Sequence, residues 1–196
     1  SNDCPGPAGP LAAVSGDILV ARFLATGPMS NATLIGGSGE DSGSGIALDG
    51  IGNIYVAGTT GSSVNFPGTA PITYGGGPND AVIVKLLPTF TRAYATYLGG
   101  NGEDYGSAIV VDTVQGIYVA GTTSSTNFPA TAGAYDPGHN GGLDVFVARL
   151  HLASSERFAD QLDASIVEFE GGRYFANILL PFAPLVAKVI ARLPAL

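Results

Sequence analysis

Tryptophan is absent, cysteine and methionine occur once each, and only 12% of the 196 residues are charged. A single cysteine, Cys4, excludes an intrachain disulfide scaffold. Eight basic residues against sixteen acidic ones give a formal net charge of −8. That balance leaves no electrostatic footprint for nucleic acid, and no nucleic-acid partner is expected. No uninterrupted apolar run reaches the roughly 18 residues of a spanning helix, so no membrane span is expected. The 29 glycines follow no G-X-Y register, which excludes collagen. A mean hydropathy of +0.30 is too apolar for a disordered chain. Lysine is confined to Lys85 and Lys188, while Gly, Thr, Ser, Asn and Tyr are plentiful. Such a composition fits an extracellular or cell-surface β protein.

An internal duplication organises the chain. Ile35–Thr60 reads IGGSGEDSGSGIALDGIGNIYVAGTT and Leu98–Thr123 reads LGGNGEDYGSAIVVDTVQGIYVAGTT; without a gap, 16 of 26 positions are identical at an offset of 63. Asn65-Phe66-Pro67 then corresponds to Asn127-Phe128-Pro129, and Asp80–Leu86 to Asp144–Leu150. A further copy of this last element lies upstream at Asp17–Phe23.

Each unit holds four segments rich in the Val, Ile, Tyr and Thr that strands favour. Segment A is Ser44–Asp49 and Ser107–Asp112; B is Ile54–Thr60 and Ile117–Thr123. Segment C is Ile18–Phe23, Ala81–Leu86 and Val145–Leu150; D is Thr33–Ile35 and Ala95–Leu98. Asp49-Gly50-Ile51-Gly52-Asn53 reads as a hairpin connection between A and B. Four-stranded sheets at a fixed period are propeller-type blades, each of which must bury its faces on neighbours. The combination GG[SN]GED, IYVAGTT, NFP and the Asp-led C segment resembles the bacterial SBBP-type β-propeller repeat over about Asp17–Leu150. The resemblance implies extracytoplasmic multi-blade proteins and supplies no catalytic residues.

The expected fold is therefore all-β, with four-stranded blades, about three per chain, and incomplete ends. Residues 1–16 form a Pro/Gly-rich lead. Residues 17–150 form the repeat region, divided into a half blade (17–35), a blade (36–98) and a blade (99–150). Residues 151–196 form a C-terminal hairpin and apolar tail. The half blade has C and D but no A and B, so its inner edge is expected to be a template for another strand. In the tail, Ser165–Leu180 alternates and turns at Gly171-Gly172, and its first arm is placed as the missing fourth strand of the last blade. Leu185, Val186, Val189, Ile190 and Leu193 form an apolar stripe on a helix or a strand, and are the expected interface residues.

Residues that could carry chemistry are few. Glu40, Asp41, Glu103 and Asp104 recur in the Gly-rich loops, and calcium binding there is weighed against turns in which Asp caps backbone amides. No other cofactor is expected. Asp17, Asp80 and Asp144 read as strand-start residues, and Asp49 and Asp112 as hairpin residues. His139, in a Pro-Gly-His-Asn-Gly-Gly loop, is expected in solvent. Tyr55, Tyr74, Tyr97, Tyr118 and Tyr135 with Phe66 and Phe128 are read as inter-blade packing, against a sugar-stacking face. Repetition in every blade favours structure over catalysis. The expectation is a non-enzymatic extracellular structural protein. It assembles with other copies of itself, as fibre or ring, through open blade edges and the C-terminal segment. The alternative is a surface-exposed binding module for glycan or protein, with calcium as a stabiliser.

Overall fold

The computed structural model describes residues 3–6, 9–12, 16–63, 66, 74–113, 116–151 and 162–167. Every regular element among them is a strand: β1 Asp3–Gly6, β2 Gly9–Ala12, β3 Ile18–Phe23, β4 Met29–Ile35, β5 Asp41–Leu48, β6 Ile54–Thr60, β7 Asp80–Leu86, β8 Arg92–Leu98, β9 Asp104–Val111, β10 Gly116–Thr123, β11 Asp144–His151 and β12 Leu162–Val167. No helix among the described residues is long and apolar enough to cross a membrane.

The strands pair as antiparallel meanders. Two complete blades run β5-β6-β7-β8 and β9-β10-β11-β12, a two-stranded sheet pairs β3 with β4, and β1 with β2 forms a separate hairpin. Among the described residues the half blade thus has its outer two strands alone. The last blade's fourth strand aligns Leu162 with Leu150 and Val167 with Val145. It begins three residues before the arm expected at Ser165. The rest of that expected hairpin, and the stripe Leu185, Val186, Val189, Ile190 and Leu193, lie outside the described residues.

The inner strands begin earlier than their sequence suggests. β5 starts at Asp41 and β9 at Asp104, three residues before the expected Ser44 and Ser107, and β5 carries a bulge between Gly43 and Gly45. Close approach requires glycine there. A Cβ on the facing Gly58 would lie 2.1 Å from the Ser42 carbonyl oxygen, well inside contact distance.

The sheets stack face to face and bury two apolar layers. Ile18, Val20 and Ile35 of the half blade meet Val56, Val82, Val84 and Leu86 of the first complete blade, with Phe66 and Tyr97. On that blade's other face, Tyr55, Ala57, Ala81 and Ile83 meet Ile109, Ile117, Val119, Phe146 and Ala148. Both faces of β6 and β7 are therefore covered. This explains their near-continuous apolar sequences, IYVAGTT and DAVIVKL, where a half-exposed strand would alternate with polar residues.

Candidate functional site

The repeated polar residues converge where one blade hands over to the next. The chain leaves a D strand, passes the Gly-Gly pair and enters an A strand led by aspartate. In the first complete blade, Asp41 Oδ2 accepts from the Gly37 amide at 2.8 Å and from Ser62 Oγ at 3.0 Å, while Thr60 Oγ1 donates to Oδ1. Gly39 donates its amide to Ser62 Oγ at 2.8 Å. The main chain closes the clamp, with the Asp41 amide on the Gly16 carbonyl and the Gly61 amide on the Glu40 carbonyl, both at 2.7 Å. The last blade repeats it. Asp104 Oδ2 accepts from Gly100 N at 2.8 Å and Ser125 Oγ at 2.7 Å, and the Asp104 amide donates to the Asn79 carbonyl at 2.9 Å. Each clamp fastens the D-to-A loop to the end of strand B and to the start of the preceding blade's strand C.

Those C strands begin with the second carboxylate. Asp80 Oδ2 accepts from Gly75 N at 2.6 Å, and Asp144 Oδ2 from Asn140 N at 2.9 Å. Carboxylates of successive blades then face each other across one glycine. A Cβ on Gly99 would lie 2.7 Å from both Asp80 Oδ1 and Asp104 Oδ2, and one on Gly36 2.2 Å from Asp17 Oδ1 and 2.8 Å from Asp41 Oδ2. Asp80 and Asp104 are fully buried. Burial pushes the Asp80 carboxyl up to about 6, the Gly75 amide opposes this, and the Asp104 charge adds to the rise. Burial, and then the charges of Asp80 and Asp104, raises the Tyr74 phenol.

The sequence placed Asp41 and Asp104 here with Glu40 and Glu103. Glu40 is exposed, and both glutamates contribute main-chain carbonyls to the clamps. Among the described residues no three His, Cys, Asp or Glu side chains converge as a metal site. The hydroxyl partners Thr60 and Ser62 of Asp41, and Ser125 of Asp104, were missed, although Thr-Thr-x-Ser recurs at the end of strand B and carried the signal; Thr123 Oγ1 accepts from the Ser125 amide instead. His139 corrects another expectation. Its side chain is 17% exposed, with Nδ1 2.9 Å from Asp144 Oδ2, because the loop folds back over the strand start.

Asp49 and Asp112 hold the A–B hairpins. Asp49 accepts from Ile51 N, Asn53 N, Asn53 Nδ2 and the Tyr55 hydroxyl, and Asp112 from Gly116 N and the Tyr118 hydroxyl. Burial, ahead of the Asp49 charge and hydrogen bond, raises the Tyr55 phenol strongly. Of the aromatic residues weighed as a stacking face, Tyr55, Tyr97, Tyr118, Phe66 and Phe128 are buried, while Tyr135 is exposed.

The half blade is the exception to this regular burial. On its outward face Leu19 is 47% and Phe23 64% exposed, whereas their repeat counterparts Val82 and Leu86 are 0% and 1% exposed. The difference is one of neighbours: the half blade covers Val82 and Leu86, and among the described residues no sheet is stacked on Leu19 and Phe23.

Two stretches, residues 31–67 and 93–129, match the family model described as a beta-propeller repeat, SBBP. The chain carries SBBP beta-propeller repeats. A curated protein from Moorella thermoacetica, nitric oxide reductase, is 50% identical over 38 residues, which is 19% of this chain and 10% of that protein. The match is shorter than the 63-residue offset of the internal duplication. The two SBBP matches together include both Gly-Gly clamps and both B strands, so the bracket described above is the repeat's own construction.

Proposed function

We propose that this chain is a non-enzymatic extracellular structural protein that self-assembles through its open blade surfaces, aided by its C-terminal segment. The observation that carries the proposal is the bare outward face of the half blade, Leu19 and Phe23, with Leu24 beside them at the strand end. Contiguous exposed apolar surface of this kind marks an interaction site. The surface belongs to a sheet whose twin is buried by another sheet, so a sheet is what fits it. A copy that offers its last blade to the half blade of the next makes a head-to-tail contact, which yields a ring or a fibre according to whether the rotation closes. The recurring aspartates and hydroxyls are committed to holding blades together, which supports a structural role over catalysis. Extracellular location rests on the composition and on the repeat. The alternative glycan-binding role has less support, because the repeated rings lie in the inter-blade layers.

Light scattering and negative-stain microscopy of the intact chain test this. Assemblies larger than one chain are expected, and Phe23→Asp with Leu19→Ser disperses them without unfolding the blades. Deleting residues 181–196 is expected to weaken them. A monodisperse single chain at high protein concentration refutes the proposal.

A further inference from the structure

Two carboxylates from successive blades meet in the seam between β7 and β9, and the clamps do not use all of their oxygens. Asp80 leads strand C of the first complete blade and Asp104 leads strand A of the next; both are 0% exposed. Asp80 Oδ2 is taken by the Gly75 amide, and Asp104 Oδ2 by the Gly100 amide and the Ser125 hydroxyl. Among the described residues, Asp80 Oδ1 and Asp104 Oδ1 receive no hydrogen bond. Nor does a Lys, Arg or His side chain among them form an ion pair with either aspartate. Taking a carboxylate out of water is costly, so a buried one is ordinarily paired with a cation or bound to a metal.

We infer that Asp80 and Asp104 form a calcium site that staples the first complete blade to the last. The site is independent of the assembly reading above. Its geometry suits one bridging ion. Asp80 Oδ1 and Asp104 Oδ2 each lie 2.7 Å from the position a Gly99 Cβ would take, so at most about 5.4 Å, twice that distance, separates them. An ion with calcium–oxygen distances of about 2.3–2.6 Å can bridge carboxylates this close. Glycine at position 99 keeps a side chain out of the space between them.

The rest of the seam is main chain. A Cβ on Gly75 would lie 2.7 Å from the Gly100 carbonyl oxygen, and one on Gly77 2.0 Å from that of Gly102. Carbonyl oxygens of the 99–104 loop thus share the seam with the two carboxylates. Calcium takes six to eight oxygens in a flexible geometry, carboxylate and carbonyl together. The two aspartates supply the charge and carbonyls add oxygens, an arrangement that needs no third acidic side chain. Magnesium demands a near-ideal octahedron and keeps several waters, which so closed a seam does not suit. Calcium and the proton compete for Asp80, so the titration of this carboxyl belongs to the calcium-free chain.

The preceding junction supplies a control. Asp17 and Asp41 also face each other across a glycine, Gly36. There, however, both oxygens of Asp41 are occupied, Oδ1 by the Thr60 hydroxyl and Oδ2 by Gly37 and Ser62. Asp17 is also only partly buried. One site per chain is therefore expected.

The test uses the intact chain, stripped of divalent ions with EDTA, at about pH 7.5, where carboxylates are charged. Calorimetric titration with calcium chloride is expected to show one ion per chain with Kd at or below about 1 mM. Calcium should raise the thermal midpoint more than magnesium chloride or sodium chloride at equal ionic strength. Asp80→Asn keeps the acceptor for Gly75 and should weaken calcium binding about tenfold or more. Asp17→Asn should leave calcium affinity within about twofold of wild type. No calcium binding in that range, or a magnesium shift equal to that of calcium, overturns the inference. So does calcium affinity that is unchanged in Asp80→Asn, or lost equally in Asp17→Asn. Should Asp80→Asn not fold, carbon-13 carboxyl shifts of wild type decide: calcium should move those of Asp80 and Asp104, and signals that stay in place overturn the inference.

Discussion

Stability of the blade junction is expected to fall as pH rises through the weakly acidic range, and Asp80 sets the window. Its carboxyl is held at about 6 by burial and by Asp104, against an ordinary value of 3.8. A raised acid keeps its proton in the folded chain after the unfolded chain has released it. The folded state then binds more protons than the unfolded state between about pH 4 and 6, so stability decreases across that interval. The contribution is fully present below about 3.8 and lost above about 6. The rise from 3.8 to about 6 is worth up to about 3 kcal/mol in total, of which about 2 kcal/mol lies between pH 4.5 and 7. Urea unfolding of wild type and Asp80→Asn at half-unit pH steps measures it. The asparagine imitates the protonated carboxyl: its carbonyl oxygen still accepts from Gly75, and its amide can donate toward Asp104. Wild type minus variant should therefore fall by about 2 kcal/mol across pH 4.5–7, the variant being the flatter of the two. Curves that run parallel refute the reasoning. Carbon-13 shifts of the Asp80 carboxyl that titrate wholly below pH 4.5 refute it independently.

Three further predictions follow from the same geometry. Gly99→Ala forces a methyl to within 2.7 Å of two carboxylates and should cost about 1–3 kcal/mol in denaturant unfolding, more than Gly50→Ala, where the added carbon meets nothing within 4 Å. Thr60→Val strips the buried Asp41 of its Oδ1 donor and should cost about 1–3 kcal/mol, whereas Thr91→Val on the exposed loop should stay within about 0.5 kcal/mol by the same assay. Ile109→Ser should destabilise the chain by about 2–5 kcal/mol, while Ile46→Ser, the same substitution at the equivalent repeat position, should change single-chain stability by no more than about 0.5 kcal/mol. Equal losses at the two isoleucines would contradict their difference in burial.

The strands most legible in the sequence are those buried on both faces. Ile54–Thr60 matches its expected limits, and Ala81–Leu86 is extended only by its leading aspartate, because unbroken Val/Ile/Tyr runs between turn residues admit little else. The starts of β5 and β9 were not legible. Glycine signals a loop by propensity, and only the close passage of Gly58 against Ser42 makes it a strand requirement. At the site, Asp41 and Asp104 stood out because they repeat, and turn chemistry correctly anticipated that they cap amides. Their hydroxyl donors did not stand out, since Thr60 and Ser62 lie 19 and 21 residues from Asp41 and meet it only through the folded A–B hairpin. The meeting of Asp80 with Asp104 needs one blade stacked on the next, a relation that no local pattern encodes.

The half blade shows where such reading must stop. Ile46 and Ile109 are the same residue in the same motif, on strands of the same length, yet one is exposed and the other buried. Periodicity is the same at the two positions, and the small differences between Gly45-Ile46-Ala47-Leu48 and Ala108-Ile109-Val110-Val111 do not distinguish the two environments. What differs is the neighbouring hairpin: β6 packs on Ile109, while among the described residues no A–B hairpin precedes the sheet that Ile46 faces. A repeat protein is close to a sum of units and of nearest-neighbour interfaces. Its sequence specifies each unit and the shape of each interface, while burial at a given position also needs the neighbouring unit. Among the described residues, the flank at Ile46 thus presents one side of the contact that Ile109 makes with Tyr55 and Ala57.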